Sequence, residues 1–253
     1  MVEDRSGFAA TMNTTVDRRL LGLSAIAFIA SAAVTIHLCR SMAGGMRMPG
    51  GWTMSMAWMR MPGESWVAAV ASFLAMWIVM MIAMMMPSIV PMLSRSSSRP
   101  DRLLAAVAYF LVWTAFGAIV YPAGVLVALG EMRWRTLAQA VPLAAGAVIV
   151  LAGCFQLTPW KAHQLRECRD SVECGANAWQ HGLRFGVRCI LCCSGLMAIL
   201  LVAGVMDLRA MAIVTAAITA ERLSLKPEIV SRAVGVLAIG AGAFQFFAAS
   251  SLA

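Results

Sequence analysis

Cys189, Cys192 and Cys193 fall within five residues of a strongly apolar stretch, RCILCC, and make up three of the seven cysteines in the chain. Spacings of three and four put side chains on one face of a helix. Thiolates gathered in an apolar wall are soft ligands for Cu(I) or Zn(II), and the metal charge offsets the cost of burying them. Packing is the competing reading, because a free cysteine also behaves as a small hydrophobe and is among the most buried residues. Two thiolates and a thioether suit Cu(I). Zinc fits less well, since a tetrahedral site asks for a fourth ligand, for which Glu221, His181 and Cys168 are the nearest candidates.

Methionine supplies the second set of soft atoms. Met80, Met81, Met84 and Met85 close an apolar run that begins near Trp66, and at about 100° per residue they cover an arc of roughly 140° on one helix. Pro87 and Pro91 follow, and each removes a helical hydrogen bond, which predicts a kink or a helix end. A further seven methionines, Met42, Met46, Met48, Met54, Met56, Met59 and Met61, lie in a Gly/Pro/Trp-rich segment over 39–65 with no helical or strand period. Such a loop offers methionine no core to fill. It reads either as a weak Cu(I)-contacting loop or as an amphipathic one lying on the bilayer, with Trp52, Trp58 and Trp66 at the interface.

The elements that must position these atoms are membrane spans. At 61% hydrophobic content and mean hydropathy +0.80 over 253 residues, the chain is too apolar for a soluble domain of this size. Apolar runs near 20 residues, the length that crosses a ~30 Å hydrocarbon core, recur at 20–38, 66–86, 103–129, 137–157, 185–205, 208–220 and 230–252. The expectation is an all-α, polytopic transmembrane helix bundle of about seven spans in one membrane domain, 1–253. A cleaved signal peptide is the rival reading of the first run, but the Ala30-Ser31-Ala32 triplet lies inside the run and not after it. The net charge of +8 comes from arginines scattered through short loops, without a basic stripe interleaved with aromatics, so nucleic acid is excluded and membrane orientation explains the charge.

With Arg188 left out because it sits inside a span, 13 Lys and Arg fall on the amino-terminal side and 6 on the other. By the positive-inside rule the amino terminus is cytoplasmic. Alternating directions then bring Met80 to Met85, Cys154 one turn from the end of the fourth span, and Cys189 to Cys193 to one depth near the inner face. Below them hangs the polar loop 158–184 with His163, Cys168, Cys174 and His181. In a reducing cytoplasm these cysteines stay thiols. Arg188 and Glu221 are the ionisable residues that look out of place at membrane depth, either functional or structurally paired.

The segments FLAMWIVMMIAMMMPSIVPM, FQLTPWK with a following cysteine, GLRFGVRCILCCSGLM and VAGVMDLRAM with a closing glutamate resemble, in this order, the bacterial family of predicted metal-binding integral membrane proteins, the domain of unknown function 2182. The resemblance runs from about residue 42 to 240. It implies metal binding, with Met80, Met81, Met84, Met85, Cys168, Cys189, Cys192 and Cys193 at the family's candidate metal positions. The chain departs from the family at Gln164, where a second cysteine is common, and at Leu191 and Ser194.

Three functions fit these residues. The first is a multi-pass protein of the bacterial inner membrane that binds a soft metal, Cu(I) above all, for delivery, sensing or uptake. The second is an accessory subunit packed against a larger membrane complex, its cysteines mere helix contacts. The third is a membrane thiol oxidoreductase, which fits least because activated cysteine pairs sit in accessible settings. Beyond the lipid bilayer, the partners implied are other membrane-complex subunits or a soluble metal-handling protein.

Overall fold

A computed structural model describes residues 18–42, 44–49, 51–60, 63–94, 98–170 and 177–251. Cys174 lies outside the described residues. Among the described residues eight α-helices follow in order: α1 (Arg18–Ser41), α2 (Trp66–Ser94), α3 (Arg99–Arg133), α4 (Arg135–Gln156), α5 (Pro159–Asp170), α6 (Ala178–Ala203), α7 (Leu208–Leu223) and α8 (Pro227–Ser250). The molecule is an all-α polytopic bundle, and α1, α2, α3, α4, α6 and α8 are long and apolar enough to cross a membrane.

Six such helices stand where the sequence gives about seven. The difference is α7, whose 16 residues extend only about 24 Å, short of the ~30 Å hydrocarbon core. It is nevertheless the return limb of a hairpin with α6. Gly204, at φ +116°, turns the chain, and the Asp207 carboxylate caps α7 by accepting from the backbone N–H groups of Arg209 and Ala210. At the far end Glu221 has come back to the depth of Cys192, because Lys161 reaches both residues. α7 is therefore as long as the distance from the Gly204 turn to the cysteine cluster requires, and no longer.

α2 runs through both prolines to Ser94, so the expected end at 86 gives way to a continuous helix. Within a membrane bundle, neighbouring helices re-satisfy the backbone groups a proline frees. The inner face of α2 buries Met76, Trp77, Met80, Met81, Met84, Met85, Ile89 and Met92. Elsewhere glycines set the spacing. On α4 and α8, a Cβ on Gly153 would stand 2.8 Å from the Gly235 carbonyl oxygen and one on Gly146 3.1 Å from that of Gly242. These helices meet through small residues, as membrane helices do where no water drives association. Gly182 and Gly186 seat α6 in parallel against Ala105 to Val112 of α3.

The methionine-rich segment has a core after all. Two short strands, β1 (Met46–Arg47) and β2 (Thr53–Met54), pair as an antiparallel hairpin, and a 3-10 turn follows at Met56–Trp58. Met48 and Met54 are buried against Ala128 and Ala138. The Trp52 indole donates to the Ala138 carbonyl at 2.8 Å, and the Trp58 ring fills the space a side chain at Gly124 would take. Among the described residues of the segment, Met42 and Met46 are its exposed methionines, and Met61 lies outside the described residues.

Candidate metal centre

The site lies where α4 ends, α5 begins and α7 returns. α5 is polar overall but one-sided: Lys161, Leu165 and Cys168, at i, i+4 and i+7, face the bundle and are buried, while Arg166 faces outward. Its Pro159 occupies the first helical turn, where a missing N–H costs nothing. Above it α6 presents Cys189, Cys192 and Cys193, exposed by 0, 0 and 1%. All three thiols face inward, as spacings of three and four require.

The four cysteines form a connected set. All four are buried in one continuous core, and Lys161 and Arg222 reach the sulfurs of Cys192 and Cys168. None of the six described cysteines is in a disulfide. Cys189 sulfur stands 3.0 Å from the Tyr109 hydroxyl and 4.0 Å from the Met85 thioether. Among the described residues no group of three or more His, Cys, Asp or Glu is arranged to hold a metal ion. What the set offers as it stands is paired thiols with a thioether alongside.

Charge is concentrated here in an unusual way. Lys161 Nζ donates to Glu221 at 2.9 Å and to the Cys192 carbonyl, and lies 3.9 Å from the Cys192 sulfur. Both members of the pair are buried, at 1% and 2% exposure. The Gln156 amide donates to the other Glu221 oxygen at 2.9 Å. The Arg222 guanidinium donates to the Cys168 sulfur at 2.9 Å and lies over the Phe185 ring. Two cations thus face one carboxylate. Burial alone would lower the Lys161 pKa, but the Cys192 sulfur and the Glu221 carboxylate outweigh it and hold the ammonium on. The Cys168 thiol is pushed well up, first by its hydrogen bond to Cys192 and then by burial, so it keeps its proton at neutral pH until something displaces it.

Of the residues picked out from sequence, the structure gathers Cys168, Cys189, Cys192, Cys193, Met85 and Glu221. Met80, Met81 and Met84 are buried in the same core, higher along α2. Cys154 is not gathered: it is exposed on α4, whose packed stripe runs through Ala145, Gly146, Ile149, Ala152, Gly153 and Gln156. Arg188 pairs with Glu167 at 3.5 Å near the surface and not with Glu221. His181 is half-buried and His163 exposed.

Tyr109, Gln156, Lys161 and Arg222 are the functional candidates that sequence reasoning passed over. Lys161 and Arg222 counted only as loop charges. The spacing of Lys161 with Leu165 and Cys168, and the Glu221-Arg222 dipeptide closing an apolar helix, are the signals that point to them.

Residues 74–245 match the family PpoB2, described as a copper chaperone. That range holds every residue of the site. The chain belongs to this copper chaperone family. Comparison with curated proteins and with solved structures gives no match.

Proposed function

We propose that this copper chaperone holds Cu(I) on the α6 thiols at the inner end of the bundle and hands it on from there. The observation that carries this reading is the charge around them. Buried Lys161 and half-buried Arg222 against Glu221 leave one positive charge at the site unbalanced. Cu(I) on two thiolates carries one negative charge, and the sum is then neutral, which is how a buried ionic site avoids a large desolvation penalty. Cys192, with Lys161 beside it, and Cys189 or Cys193 are the proposed thiolates, with Met85 as a neutral third ligand. Cys168, on the amphipathic α5, is placed to take the ion over, since a thiol one contact from the pair can exchange onto the metal by losing its proton.

Neither a tetrahedral zinc site nor a disulfide exchange centre draws the same support. Zinc on all four thiolates would carry two negative charges against the one positive charge left over, and a dithiol oxidant needs an accessible sulfur. The bias of positive loops toward the amino-terminal side supports placing α5 and the cysteines at the cytoplasmic face of a bacterial inner membrane.

Anaerobic titration of the purified full chain with Cu(I), against a chelator that competes for it, tests the reading. One Cu(I) per chain is expected, absent from the Cys189→Ser/Cys192→Ser variant while its helical content and thermal unfolding persist. If wild type and variant take up equal copper, the cysteines are packing residues and the accessory-subunit reading replaces this one.

A further inference from the structure

The molecule holds a second sulfur contact, far from the first. At the opposite end of the bundle the Cys39 thiol of α1 donates to the Met206 thioether, at 3.7 Å, in the turn between α6 and α7. Cys39 is buried and belongs to the same continuous core as Cys189, Cys192 and Cys193. Methionine fills the space between the two ends. On α2, Met76, Met80 and Met84 repeat at i, i+4 and i+8, each buried, with Met81 and Met85 filling the alternate places.

Register gives these atoms their depth. Met76 lies nine residues before Met85, about 13 Å along the axis, and Met211 lies ten residues before Glu221, about 15 Å. Met85 and Glu221 both belong to the cysteine end, so Met76 and Met211 share a level on two helices that pack together. Cys39 and Met206 lie one step beyond. On the facing helix Met197 continues the column of Cys189 and Cys193 by one more turn, and it is exposed by only 1%. Successive thioethers one helical turn apart, about 5–6 Å, are within the swing of two unbranched side chains.

We propose that this column is a relay for Cu(I): the ion enters at the Met206 thioether, beside the Cys39 thiol, passes through the α2 thioethers, and ends on the cysteines. The inference rests on the cysteine site proposed above and adds the route that feeds it. Thioethers are neutral, so each transfer exchanges one sulfur for another with no proton moved and no change of oxidation state. Protons leave only at the end, where thiolates form. The driving force is the step from thioether to thiolate, because the softer anionic ligand holds Cu(I) more tightly.

Leucine has nearly the volume of methionine and packs in its place, but it has no sulfur. The test uses the full chain in proteoliposomes of one orientation, with Cu(I) supplied as a membrane-impermeant anionic chelate. It is added either to the face carrying Cys39 or to the face carrying α5, with protein-free liposomes as the leak control. In Met76→Leu/Met211→Leu, loading from the Cys39 face should slow at least tenfold, while loading from the α5 face and the copper held at saturation match wild type. Each single variant should slow it by less. Equal rates from the Cys39 face in wild type and the double variant would overturn the relay and leave the cysteine site standing. Absence of copper in wild type from either face would overturn both.

Discussion

The two ends of the sulfur-lined core use the same element in different chemical states. At the α5 end sulfur is thiol, and it comes with buried Lys161, half-buried Arg222, a carboxylate and a phenol. At the Cys39 end the contact is one thiol on a thioether. Burying an anionic ligand set demands cations, whereas burying thioethers demands nothing beyond packing. Of the two, it is the α5 end that supplies the cations an anionic metal site would need.

Removing the anions should have the largest effect. Cys192→Ser alone should abolish stoichiometric Cu(I) binding, while Cys39→Ser leaves the stoichiometry unchanged; the same chelator competition reads both. Next comes the counterion. Lys161→Met leaves Glu221 buried without its partner, and breaking such a pair costs about 3–5 kcal/mol. Thermal unfolding should show a loss of that order, with much of it recovered in Lys161→Met/Glu221→Leu. Full stability in the single variant would mean that the pair is solvated. A smaller change belongs to Tyr109→Phe. The phenol stands 3.0 Å from the Cys189 sulfur, and one hydrogen bond to an ionised group contributes about 1.5–3 kcal/mol. Affinity for Cu(I) should fall by at least tenfold if Cys189 binds as thiolate, and remain unchanged if Cys189 stays a thiol outside the site.

Much of the bundle was legible because each span is a long apolar run closed by charge, and membrane helices satisfy their own backbone. The α6 thiols were legible for the same local reason: a helix converts spacings of three and four into a face. What sequence concealed is tertiary. Lys161 follows Thr158-Pro159, a plain loop signal, and its role exists only because α5 folds back beneath α6. Pro87 and Pro91 read as a stop, yet α2 continues past them to Ser94, as helices inside a membrane bundle tolerate proline. The methionine-rich segment lacked a period since its order comes from a hairpin with two residues in each strand and two tryptophans docked on α3 and α4.

Cys154 offers the smallest predicted effect and the sharpest control on the contrast between the ends. Sequence names it, like Cys168, as a candidate metal ligand, one turn from the end of the fourth span and just above the loop that holds Cys168. The structure separates them by rotation alone. The buried stripe of α4 passes through Gly153 and Gln156, and one step of about 100° turns Cys154 out of it, leaving the thiol exposed. Cys154→Ser should therefore change neither copper stoichiometry nor affinity, and should shift stability by no more than about 0.5 kcal/mol, as surface substitutions do. A small membrane-permeant maleimide should label Cys154 whether or not copper is bound, while Cys168 should be protected by it. If copper protects Cys154 equally, the ion contacts the outer face of α4, and the division between an anionic, cation-braced end and a neutral thioether end fails at that point.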